Sequence, residues 1–372
     1  MSEPAGAPPA AARRPAWERL PLLMLGFIAL FVGIGAGLAR LGWTMPAAAA
    51  GAAALHGPLM ICGFFGVVIG LERAVAIGRP WAYAGPLLAG LGTAAALLGQ
   101  HGATPWLMLA ASAVLLAASL DVLWRQREGF MLTIAVAAAC WTTGTALWAA
   151  GWAVHEVAGW WLAFLVLTIA GERLELSRFL PTSSGARQAF TLIVAAVLLA
   201  LLAWPQGWGR QLFGVALLAL AAWLLRHDIA RRTVRQQGLT RYIAVCLLSG
   251  YFWLALGGAV VAAYGLTPGT RSYDAALHAL LLGFVFAMVF GHAPIIFPAV
   301  LRVAVPYHPG FYAPLGLLHA SLVLRLAGDA TGSFELTRWG GLLSALALLA
   351  FIANTATAVL RGRRSRHRVM RA

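Results

Sequence analysis

Residues 47–73 read AAAAGAAALHGPLMICGFFGVVIGLER. From Ala47 to Gly70 the only acidic or basic side chain is His56. At about 1.5 Å per residue the stretch is long enough to cross a bilayer as a helix before it ends on Glu72-Arg73. Runs of the same kind recur on both sides, at about 20–41, 82–101, 104–124, 129–151, 153–171, 189–204, 211–225, 242–265, 273–298, 310–327 and 336–360. With 61% apolar and 10% charged residues over 372 positions, too little polar side chain exists to coat a soluble globule. The runs are continuous rather than alternating, which excludes a transmembrane β-barrel. The expected fold is all-α and polytopic, with twelve membrane-spanning helices.

The +15 formal charge is carried by arginine alone, in short segments between the apolar runs, so a lipid surface is the expected partner and nucleic acid is not. With the N-terminus inside, 22 of the 27 arginines fall in cytoplasmic segments. Four (Arg40, Arg210, Arg271, Arg338) fall outside, and Arg325 lies near the end of helix 11. The positive-inside bias therefore predicts cytoplasmic termini in a bacterial-type inner membrane. The division is a cytoplasmic tail over 1–19, a membrane domain over 20–360 and a basic cytoplasmic tail over 361–372. Cys62, Cys140 and Cys246 each stand alone in an apolar run and read as small buried hydrophobes. No Cys-x-x-Cys-His occurs, so covalent haem attachment is excluded.

Ionisable residues inside spans cost free energy and mark candidate function. His56, His155 and His278 fall in helices 2, 6 and 10, the second helix of each successive group of four, which predicts a unit repeated three times. The first two units share an exit: Ile69-Gly70-Leu71-Glu72-Arg73 is echoed by Ile169-Ala170-Gly171-Glu172-Arg173. These charge pairs read as interfacial clusters with arginines reaching for the headgroups. His292 follows His278 by 14 residues, a spacing used by stacked two-haem cytochromes. The matching place after His56 is Gly70, however. His292-Ala293-Pro294 instead reads as a helix break whose freed carbonyls the imidazole answers. His292 and His319 are kept as a secondary metal or haem candidate.

The run His56-Gly57-Pro58-Leu59-Met60-Ile61 resembles the helix 2 ligand segment of subunit I of the haem-copper oxidases, a family of twelve helices in three pseudo-symmetric arcs of four. His278, Gly283, Val285-Phe286-Ala287, Gly291 and Phe297-Pro298 are similar to that family's helix 10, with a one-residue slip at the glycines. The departures are specific. Ala276 stands where the family has a second helix 10 histidine, no His-His pair occurs, and helix 6 retains only His155-Glu156-Val157 of the copper-binding run. The chain is thus similar to relatives that lack the full oxygen-reducing centre, such as the NnrS-type membrane proteins, haem proteins of nitric oxide stress.

The resemblance implies the three-arc fold and a non-covalent, b-type haem held by His56 and His278. It also implies a role in electron transfer or nitric oxide handling with a redox partner, and, were copper bound, His155 as its ligand. Two readings from other classes stay open: a secondary transporter with internal repeats, and a cofactor-free assembly or partner subunit.

Overall fold

A computed structural model describes residues 16–177 and 182–369. The N-terminal tail lies outside these residues up to position 15, and so do the last three positions of the C-terminal tail. The described residues are helical and contain no strand. The principal helices are α1 Leu20–Arg40, α2 Ala53–Ile77, α3 Ala84–Leu97, α4 Thr104–Arg125, α5 Gly129–Ala149 and α6 Val154–Leu176. They continue with α7 Ser184–Leu202, α8 Trp208–His227, α9 Gly238–Tyr264, α10 Arg271–Leu301, α11 Pro309–Thr331 and α12 Phe334–Val369.

Eleven of these are long and apolar enough to cross a membrane. The exception is α3, whose 14 residues follow a 3₁₀ turn at Pro80–Tyr83. Pro80 opens that turn, and Gly99, at φ +73°, closes the segment in the left-handed region that glycine adopts at little cost. The run expected over 82–101 is therefore shorter as a helix than as an apolar stretch. α2 also begins later than its apolar run, because Ala47–Gly51 forms a separate short helix. His56 consequently lies three residues into α2, nearer the helix end than the run implied.

Local chemistry explains the helix starts. Glu156 accepts a hydrogen bond from the Ala153 N–H at 2.7 Å and caps α6, and Thr270 accepts one from Tyr273 N–H at 3.2 Å and caps α10. The C-terminus of α10 is tied to the start of α1 by Arg19, whose Nη1 donates to the Val300 carbonyl at 2.7 Å.

Burial is uneven. In their most apolar stretches α6 is 72% buried, α10 67%, and α2 and α5 61% each, against 22% for α7 and 33% for α4, so α2, α5, α6 and α10 run through the interior. Phe64 of α2 stacks on Phe286 of α10 at 5.9 Å, and Phe164 of α6 stacks on Trp141 of α5 at 5.0 Å. Where large rings do not fill the gap, glycine lets backbones meet: a Cβ on Gly214 of α8 would collide with the Ala262 backbone of α9.

α2 and α10 share a further irregularity. Each changes to π-helical winding just after its histidine, over Leu59–Phe65 in α2 and Ala279–Phe286 in α10. Such winding is rare and concentrates at functional sites. The break expected after His292 is absent: α10 runs through Pro294 and Pro298 and stops only at Arg302, which has φ +54°.

Candidate functional site

His56 and His278 open onto one cavity of about 620 Å³, lined by segments of α1, α2, α6, α10, α11 and α12. Met60, Phe65, Leu281, Phe286 and Leu348 make its interior apolar, while Arg40, His155, Thr270 and Tyr273 make its mouth polar. This is the histidine end of the bundle, and Glu72 and Glu172 mark the other.

The hydrogen bonds of the two rings decide what they can do. His56 Nδ1 lies 2.7 Å from the Gly33 carbonyl of α1, and His278 Nδ1 lies 2.8 Å from the Asp274 carbonyl one turn earlier. A carbonyl can only accept, so each Nδ1 carries the proton and each neutral ring keeps its lone pair on Nε2. Among the described residues neither Nε2 has a protein hydrogen-bond partner. Two basic nitrogens thus serve the same cavity, each with its tautomer fixed by a carbonyl, the usual support of a metal-ligating histidine.

The other histidines differ. His292 is also bonded through Nδ1 to a carbonyl, that of Met288 at 2.8 Å, but its Nε2 stands 3.4 Å from Arg173 Nη1. His319 has both nitrogens engaged, Nδ1 accepting from Trp253 Nε1 at 2.9 Å and Nε2 meeting Ser249 Oγ at 3.0 Å. Its place is that of a satisfied interior histidine. His155 is exposed on the rim of the cavity. Among the described residues no grouping of three or more His, Cys, Asp or Glu that could hold a metal ion is found.

A second set of contacts was not anticipated. Arg325 of α11 donates from Nε and Nη2 to the two carboxylate oxygens of Asp274, at 2.7 and 2.9 Å. Asp274 Oδ1 in turn stands 3.3 Å from His278 Nδ1. Beyond it, Asp329 accepts from Thr337 Oγ1 at 3.2 Å. The available signal was the Asp274-to-His278 spacing of one helical turn; the arginine comes from another helix.

At the far end the two Glu-Arg pairs part company. Glu72, Arg73, Glu172 and Glu175 line a cavity of about 380 Å³ with Arg125. Arg173 turns inward instead, 4% exposed and 3.4 Å from Asp228 Oδ2, which also accepts from Tyr251 Oη at 2.8 Å. The expectation that this arginine snorkels is corrected: its charge has a buried partner. Cys62, Cys140 and Cys246 are free and buried, and Cys62 Sγ accepts from Trp141 Nε1 at 3.3 Å.

The family model described as "Domain of unknown function (DUF8744)" matches residues 19–360. No curated protein matches the chain.

Proposed function

We propose that this chain, which belongs to the DUF8744 family, is a haem-binding membrane protein in which His56 and His278 supply the two axial nitrogens. The observation that carries the reading is that these two rings, alone among the interior histidines, combine an Nε2 without a protein hydrogen-bond partner with a shared cavity. The volume lies within the usual 300–1,000 Å³ range of ligand sites. Its apolar interior suits a flat macrocycle, and Arg40 on the lining suits a haem carboxylate. With no Cys-x-x-Cys-His in the chain, the proposed attachment is non-covalent, and the resemblance implies a haem of b type.

The bound group would supply a one-electron couple, and the protein's part is to hold it, exclude water and orient the imidazoles. Filling both axial positions from the protein leaves no open one, which favours electron transfer with a redox partner; a nitric oxide role requires one imidazole to leave. The same proposal includes the relation to haem-copper oxidase subunit I and the NnrS-type proteins, with α3 counted as a twelfth crossing and three arcs of four helices. The two most buried spans, α6 and α10, are each the second helix of their group, which supports the arcs. The arginine bias supports cytoplasmic termini in an inner membrane.

The test is one pair of optical spectra of purified protein from haem-replete cells, oxidised and dithionite-reduced. A six-coordinate low-spin haem spectrum is expected. A haem-free preparation overturns the reading and returns the transporter and the cofactor-free subunit to first place.

A further inference from the structure

Arg325 is an arginine in the interior of a membrane protein, 5% exposed, and it lies in a slot made for it. A Cβ on Gly340 of α12 would come within 2.8 Å of the Arg325 Cβ, and one on Gly341 within 2.8 Å of its Nη1. The slot fixes the guanidinium, and its two parallel bonds to Asp274 fix the plane of the carboxylate. That plane sets Oδ1 3.3 Å from the His278 Nδ1–H. The whole arrangement faces the imidazole from the side opposite its Nε2.

We infer that Arg325 and Asp274 form a charge clamp that positions His278 and sets how strongly its Nε2 donates to a metal. The inference rests on the haem reading above. A carboxylate beside Nδ1–H draws that proton and makes the far nitrogen a stronger donor, which favours the oxidised, more positive iron. The guanidinium opposes this by neutralising the carboxylate, so the two residues act in opposite senses. Both are positioning residues, since each reaches the iron only through His278.

The experiment is a redox titration of the purified full-length holoprotein, read at the reduced haem band, with haem retention measured in parallel. Asp274→Asn removes the negative charge beside the His278 Nδ1–H, so the midpoint should rise. Arg325→Gln leaves the carboxylate uncompensated, so the midpoint should fall. Each shift should reach about tenfold in the oxidised-to-reduced ratio, or about 59 mV for one electron. Arg325→Lys keeps the charge without the fork and should stay near the wild-type midpoint, which gives a readable variant should the glutamine form fail to accumulate. Glu335→Gln, in an exposed pair with Arg338, should move nothing. Shifts of the same sign in the two single variants, or unchanged midpoints with haem retained, overturn the clamp while the haem reading stands. A haem-free wild type overturns both.

Discussion

Gly37 of α1 lies against the His56 imidazole so closely that a Cβ on it would stand 2.8 Å from Cε1 and 3.0 Å from Nδ1. The contact explains how α1 can both accept the Nδ1–H bond at Gly33 and leave room for the ring one turn later. Gly37→Ala should push the imidazole off the Gly33 carbonyl. A loss of about 10–100-fold in haem affinity is expected, the usual effect of disturbing a ligand's supporting contacts. Gly51→Ala, whose Cβ would meet nothing within 4 Å, is the control. Haem titration of the two apoproteins measures both, and equal affinities would show that His56 is not held from α1.

On the proposed haem reading, replacing either His56 or His278 should be visible directly. His56→Ala and His278→Ala should each convert the low-spin spectrum to a high-spin one or lose the haem. His292→Gln and His227→Ala should leave it unchanged, because His292 Nε2 faces Arg173 and His227 Nδ1 is bonded to the Trp223 carbonyl at 2.9 Å. A six-coordinate spectrum retained in both alanine variants would remove the ligand assignment.

These pairs show where sequence stops being informative. Spans are legible because length and apolarity are local properties, and α3 fell short only where Pro80 and Gly99 cut the helical part of its run. His278 and His292, by contrast, sit on one helix and bond the same way to the carbonyl four residues back. What separates them is Arg173, 119 residues from His292 in sequence, placed by tertiary packing. Arg73 and Arg173 likewise end near-identical motifs, yet one lines a cavity and the other is buried against Asp228. Asp274 could have been noticed one turn before His278, but its partner Arg325 is brought in by α11 from 51 residues away.

Orientation is testable without any cofactor. α1 reaches the histidine end at Arg40 and α12 leaves it from Phe334, so the start of α1 and the end of α12 lie at the glutamate end. The distribution of 22 arginines against four predicts that this end is cytoplasmic. A reporter fused after Ala372 should score as cytoplasmic and one inserted between Gly265 and Arg271 as periplasmic. The reverse pattern would invert the bundle and put the His56–His278 cavity on the cytoplasmic side.

The buried pair Arg173 and Asp228 should matter for stability and not for the spectrum. Its side chains are 4% and 0% exposed, and Asp228 also accepts from Tyr251 Oη and from the Ala230 N–H at 2.7 Å. A buried pair gains little over a well-packed apolar substitute, because desolvation cancels most of the attraction, but removing one partner strands the other charge at about 3–5 kcal/mol. Arg173→Met should therefore lower the unfolding temperature in detergent markedly. Arg173→Met combined with Asp228→Asn should recover most of the loss, since the amide oxygen can still accept from the Ala230 N–H, its NH2 can donate to Tyr251 Oη, and it carries no charge. Arg73→Met, at the rim of the 380 Å³ cavity, should cost much less despite the matching motif. The site lies at the end of the bundle away from His56 and His278, so the haem spectrum of whatever folds should be that of the wild type. Equal destabilisation by Arg73→Met and Arg173→Met, or a double variant no better than Arg173→Met alone, would show that the charge pair is not what holds α6 to the end of α8 there.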